Sequence, residues 1–159
     1  MSESILLPTR KDEAWRYSDT DALAGLDLGT FDQWRDIDVA EGETFRDTIV
    51  IADEGDAVSD ATELRRLRIN VRRNATCAIF GVIASGRLGR VEMVVMIEEG
   101  GHFEFGGVTV GGRDTTREFV TRIAHDHANA TSNQVVRSVH WGQGTGNFLG
   151  RIDVARDAQ

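Results

Sequence analysis

Two imidazoles flank a carboxylate at His125-Asp126-His127. On a strand, residues two apart point to the same face, so His125 and His127 together can chelate one metal ion. A fuller ligand set needs a carboxylate a few residues on and a later histidine. Residues 128–134 supply no carboxylate, and His140 is the only imidazole downstream. The competing reading makes both histidines satisfied polar residues at a strand end or an interface. Gly142-Gln143-Gly144-Thr145-Gly146 looks like a phosphate-cradling loop, but a dinucleotide fingerprint needs a following helix and an acidic residue about 20 positions on. The sequence runs only to Gln159, so the glycines read as a turn between strands. No Walker lysine motif exists, so ATP binding through a P-loop is not expected. Cys77, the single cysteine, lies in the apolar run Ala75-Thr76-Cys77-Ala78-Ile79-Phe80 with no His or Lys beside it. A buried, inert thiol is expected there rather than a nucleophile. One cysteine also makes no internal disulfide and no thiolate cage. Asn74-Ala75-Thr76 and Asn129-Ala130-Thr131 match the glycosylation pattern, which has meaning only in an exported chain. Trp15, Tyr17, Trp34 and Trp141 read as core or interface anchors. No catalytic residue is predicted, and cofactor-binding residues stay unassigned.

The elements that position these groups change character along the chain. Thr9, after Pro8 and ahead of Asp12 and Glu13, is placed to cap a short helix through Ala14, Trp15 and Tyr17. Ser18 and Asp19 offer a second cap for a turn or two with Ala22, Leu23 and Leu26. Phe31 and Trp34 fall on a third short segment, and none of these is long enough to stand alone. A strand is expected over residues 45–52, then an acidic loop over residues 53–60, with Asp60 and Glu63 capping one helical turn. Beyond it the apolar residues alternate. Leu67, Ile69 and Val71 share a face, as do Val91, Met93, Val95 and Ile97, then Phe103 and Phe105, and Val108 and Val110. Phe119, Thr121 and Ile123, then Val135 and Val139, then Phe148, Ile152 and Val154 continue the pattern. Strands at this spacing, punctuated by glycine pairs, fit a sandwich, a jelly roll or a β-solenoid with irregular coils, and periodicity does not choose among them.

Composition agrees with this division. The 159 residues suit one domain and are 40% hydrophobic and 28% charged, so the chain should fold. Net charge is −8, which argues against nucleic-acid binding. Residues 1–59 hold 15 acids against 5 bases, whereas residues 60–159 hold 11 against 13, and 13 of the 17 glycines lie from Gly81 onward. The expected organisation is therefore a helical arm and acidic linker with one strand over residues 1–59, followed by a β-rich core over residues 60–159. Met1 to Leu7 lacks the features of a secretory signal, and no segment reaches the roughly 20 apolar residues of a membrane span. A cytoplasmic location is expected.

Two blocks carry a family resemblance. Leu7-Pro8-Thr9-Arg10-Lys11-Asp12-Glu13-Ala14-Trp15-Arg16-Tyr17-Ser18-Asp19 resembles the opening signature of SufD, an iron–sulfur cluster assembly protein of the SufB/SufD superfamily. Its matching positions are Pro8, Thr9, Arg10, Glu13, Trp15, Arg16 and Tyr17. The second block, residues 125–159, resembles that family's central stretch. It has His125, a polar loop to Ser132-Asn133-Gln134, the run Val135-Val136-Arg137-Ser138-Val139, a glycine-rich turn, then Phe148-Leu149-Gly150-Arg151-Ile152-Asp153-Val154 and Ala158-Gln159. Gly89-Arg90-Val91-Glu92 resembles the lead-in. Together they cover about a third of the chain in family order.

The resemblance implies a mainly β chain, a right-handed parallel β-helix with a short helical N-terminal arm. It also implies a non-catalytic scaffold in a SufBCD complex, paired with a SufB-like β-helix homologue and a SufC-like ABC ATPase. In that family the complex handles an iron–sulfur cluster, and ATP is bound and hydrolysed by the SufC-like subunit. The family runs to more than twice this length, with further coils and C-terminal helices that dock the ATPase, so a short or truncated form and a homodimer through an exposed last coil are expected. No cluster ligand carries over, and His125 is expected to pack a coil or an interface. The alternative is a cupin-like small β-barrel with a metal at His125 and His127.

Overall fold

The computed structural model describes residues 6–53 and 60–158. Most of the expected acidic loop and the signature position Gln159 fall outside them. Nine strands make up the body: β1 (Arg35–Val39), β2 (Thr44–Ile51), β3 (Thr62–Val71), β4 (Thr76–Ile83), β5 (Leu88–Ile97), β6 (His102–Gly111), β7 (Thr116–His125), β8 (Thr131–His140) and β9 (Thr145–Val154). Consecutive strands do not pair. Odd strands form a five-stranded sheet in the order β1-β3-β5-β7-β9, even strands a four-stranded sheet in the order β2-β4-β6-β8, and every pairing is parallel. The chain is a parallel β-helix of about four turns, each coil laying one strand on each sheet.

Alternation inside each strand makes this stack. Ile37, Ile69, Val95, Ile123 and Ile152 hold one register column, all turned inward. In the other sheet Phe45, Cys77 and Phe103 form a second column. Inward Gly81 and Gly107 are register neighbours, and the space they leave is filled by Phe105 and Phe119, whose rings meet edge to face at 5.0 Å. A Cβ on Gly107 would lie 2.8 Å from the Phe105 ring and 2.9 Å from that of Phe119.

One corner repeats a left-handed residue in every coil. Gly42, Asn74, Gly100 and Asn129 all have positive φ, each two residues ahead of β2, β4, β6 and β8. Asn and Gly tolerate that conformation best. Asn74 and Asn129, which the sequence offers as glycosylation matches, thus occupy equivalent corners of the coil.

Several local expectations change. The segment over residues 1–59 contributes both β1 and β2 to the sheets. Asp60 and Glu63 cap no helical turn, because β3 already begins at Thr62. Val135 and Val139 point outward, while Val136 packs against the core. The arm holds single turns at Glu13–Trp15 and Thr20–Leu23, and α1 at Leu28–Phe31. Thr9 bonds Asp12 in a turn before the first of these, and Asp19 caps the second through the Ala22 amide.

Candidate interaction site

The N-terminal arm lies across the outer face of the five-stranded sheet. Trp15, Leu23 and Phe31 are buried there against Leu64 of β3 and Leu88 of β5. Beneath them runs a ladder of charges. Outward residues on β3, β5, β7 and β9 fall in two adjacent columns, Leu64-Arg90-Glu118-Asn147 and Arg66-Glu92-Val120-Leu149. Arg90 is wholly buried. Its Nε donates to Glu92 Oε1 at 2.7 Å, Nη1 to Glu118 Oε1 at 2.7 Å and Nη2 to the Ala14 carbonyl at 2.9 Å, with the Trp15 ring 3.6 Å from its guanidinium carbon. Arg66 bonds the other oxygen of Glu92 at 2.8 Å and the Phe31 carbonyl at 2.6 Å, under the rings of Phe31 and Trp34.

Two cations therefore meet two carboxylates under an aromatic cover. Desolvating such charges is tolerable only when each finds partners, and here each does. The arm supplies the remaining bonds: Ser18 Oγ donates to Glu118 at 2.5 Å, and Asn147 Nδ2 bridges Glu118 and the Tyr17 carbonyl at 3.0 Å each. The signature thus divides. Trp15 and the following Ser18 are buried in the contact, Tyr17 takes part through its backbone, and Thr9, Arg10, Glu13 and Arg16 are exposed, with Pro8 half-buried. Arg66, Glu118 and Asn147 gave no separate signal in the sequence, because an outward charge on a strand ordinarily faces water. What could have marked them is the run of opposite charges on alternate positions of neighbouring strands, next to an arm rich in aromatic rings.

The inward columns change chemistry along the helix axis. Ile79 and Phe105 are followed by Gln134, Ile51 and Ile83 by Thr109 and Ser138, and Ile97 by His125. These polar groups pair among themselves. His125 Nε2 lies 2.9 Å from Ser132 Oγ, Thr121 donates to Gln134 at 2.6 Å, and Thr109 reaches both Ser138 at 2.8 Å and His140 Nε2 at 2.9 Å. Gly150 lies inward beside Thr121 and Phe148. Burial, together with the nearby Arg117 charge, holds the His140 imidazole below the usual histidine range.

The remaining candidates are now placed. His125 closes β7, whereas His127 sits in the exposed bend after it, so the two do not share a strand face. Among the described residues no group of three or more His, Cys, Asp or Glu converges on a metal-sized site. With every strand pairing parallel, the cupin-like alternative is not favoured. Cys77 is fully buried, and burial pushes its thiol up to about 11, as expected for an inert core residue. The glycine-rich segment is the turn from β8 to β9, with Gly142 at φ +61°. No helix among the described residues is long and apolar enough to cross a membrane.

A family model described as "SUF system FeS cluster assembly, SufBD core domain" matches residues 38–159. No curated protein and no solved structure matches the chain.

Proposed function

The chain belongs to the SufBD core-domain family of the SUF system for iron–sulfur cluster assembly, and from that premise we propose that it is a SufD-like, non-catalytic scaffold subunit of a cytoplasmic SUF complex. The observation that carries this reading is the family match over residues 38–159, which takes in the solenoid from within β1 to the end of β9. The SufD assignment over SufB draws on the opening signature, whose Trp15 and neighbouring Ser18 fasten the arm to the sheet. Its partners are a SufB-like β-helix homologue and a SufC-like ABC ATPase, with ATP bound on the latter.

The iron–sulfur cluster is the cargo of such a complex. Thiolate is the form of cysteine that ligates iron, and the raised pKa and burial of Cys77 oppose it, so this chain contributes no thiolate and any cluster is held with a partner. His125 packs the last coil through Ser132. The test is thermal unfolding of the chain with and without a SufB-like homologue. A partner that binds only the folded chain raises its melting temperature with concentration. No response at saturating homologue would overturn the pairing.

A further inference from the structure

Another buried cation, Arg117, lies where β6 turns into β7. It is the second residue of β7 and points inward, on the same side of the strand as Phe119 and Thr121, with 7% of its surface exposed. Its Nη1 donates to the Val110 carbonyl and its Nη2 to the Gly86 carbonyl at 3.1 Å, while Nε is buried without a partner. None of the twelve ion pairs among the described residues involves Arg117, whereas Arg90 has two carboxylates. The other buried side-chain atom without a partner among those residues is His140 Nδ1, and it belongs to the same layer. Arg117 is the register neighbour of Gly146, and His140 that of Gly111. A Cβ on Gly111 would lie 2.6 Å from Arg117 Nη1, and one on Gly146 would run into the His140 ring. Two glycines thus make the room that two polar side chains take up, and neither side chain is fully bonded. A guanidinium taken out of water has a deficit that carbonyl oxygens meet only in part. A hollow of about 290 Å³ opens at this corner, lined by Arg117, Arg113, Thr115, Gly112, Asp53 and Trp141.

We propose that this corner hollow binds a small dianionic oxyanion of phosphate size, held by the guanidinium groups of Arg117 and Arg113 against the Trp141 indole. The donors decide the class of ligand. With two carbonyls bonded, Arg117 keeps an N–H on each of its three guanidinium nitrogens and has no acceptor, so the ligand must accept. Arg113 is exposed and in no ion pair among the described residues. Two guanidinium groups match the charge of a dianion, and their planar forks suit the spacing of its oxygens. The volume falls just below the range of clefts that enclose drug-sized ligands, which limits the occupant to a small ion or the phosphate end of a small ester. The indole packs over Gly112, where any Cβ would strike the ring, so the wall it forms depends on that glycine. Asp53 acts on Arg117 through its charge without forming an ion pair with it, and opposes the anion.

The site needs no partner chain and does not rest on the scaffold role. Titrating the full chain with inorganic phosphate, at an ionic strength held constant with chloride, should raise its melting temperature and change tryptophan fluorescence saturably. Trp141→Phe should abolish the fluorescence change, because Trp15 and Trp34 belong to the arm region. Arg117→Gln should lose the phosphate response. Arg113→Asn, exposed and at a φ of +55° that Asn tolerates, should weaken it about tenfold with an unchanged circular dichroism spectrum, which keeps the test decisive if Arg117→Gln does not fold. Asp53→Asn should tighten binding, and Arg137→Gln, on the outer face of β8, should leave it unchanged. Glycerol 3-phosphate separates a free ion from an ester: binding of either supports the site, and the tighter of the two names its source. No saturable response to either would overturn the proposal. So would a response untouched by Arg113→Asn, one weakened by Asp53→Asn, or one lost as readily in Arg137→Gln.

Discussion

The five-stranded and four-stranded sheets share one inward alternation, yet their outer faces are finished in opposite ways. On the five-stranded sheet the outward column is charged and buried: Arg90 and Glu118 meet beneath Trp15, and Arg66 and Glu92 beneath Phe31 and Trp34. On the four-stranded sheet the outward face is open, with Phe80 and Val50 in water beside Arg46 and Glu104. Hydrophobicity alone would predict the reverse. An outward position is thus decided by what lies over it. A charge is buried where the arm and the neighbouring strand supply every bond it needs, and an apolar residue stays exposed where nothing among the described residues lies over it.

Breaking the covered face should have the largest effect. Arg90→Ala leaves Glu118 and Glu92 short of a buried cation and should cost about 3–5 kcal/mol in urea unfolding. Trp15→Ala removes the cover itself and should cost about 3 kcal/mol, with the arm becoming sensitive to protease. Ser18→Ala deletes one hydrogen bond to the buried Glu118 carboxylate and should cost about 1.5–3 kcal/mol. On the open face Phe80→Asp should move stability by less than any of these, since Phe80 is half exposed and only its contact over Gly106 is lost.

The smallest effect belongs to the exposed rim. Arg72 holds the Asp38 and Glu98 carboxyls below their ordinary values, mainly by hydrogen bonding. Carboxyls lowered in the folded state add stability above their unfolded pKa and lose it as pH falls through that range. Arg72→Gln should therefore slightly flatten the acid limb of the stability curve, and added salt should erase the difference. At His140 higher pH is likewise favoured. Its imidazole is lowered in the folded state, so its stabilising share is complete above the usual histidine value and falls away as pH drops below it. His140→Gln should reduce that slope.

Period-two alternation made the strands from β3 onward legible, and the opening signature and the last block pointed to the β-helix. Which strands pair was not legible from alternation, because period two records which side of a strand is buried and says nothing of the neighbour. The corners hid for a related reason: Asn74 and Gly100 serve one left-handed position with different residues, so no fixed repeat appears. Val135 looked like core because Val135 and Val139 are both apolar and share a strand face, while the inward Val136 sits between polar Gln134 and Ser138. The buried ladder escaped because Arg90 and Glu118 lie 28 positions apart and meet only when one coil is laid on the next.

Membership of a SUF scaffold is tested most directly by co-expressing this chain, tagged, with a SufB-like homologue and a SufC-like ATPase, then recovering the tag and weighing what comes with it by light scattering. The expected result is a defined complex whose ATP hydrolysis requires the SufC-like subunit, and a tagged chain that hydrolyses none alone. A chain recovered without the homologue, or one that hydrolyses ATP by itself, would contradict it.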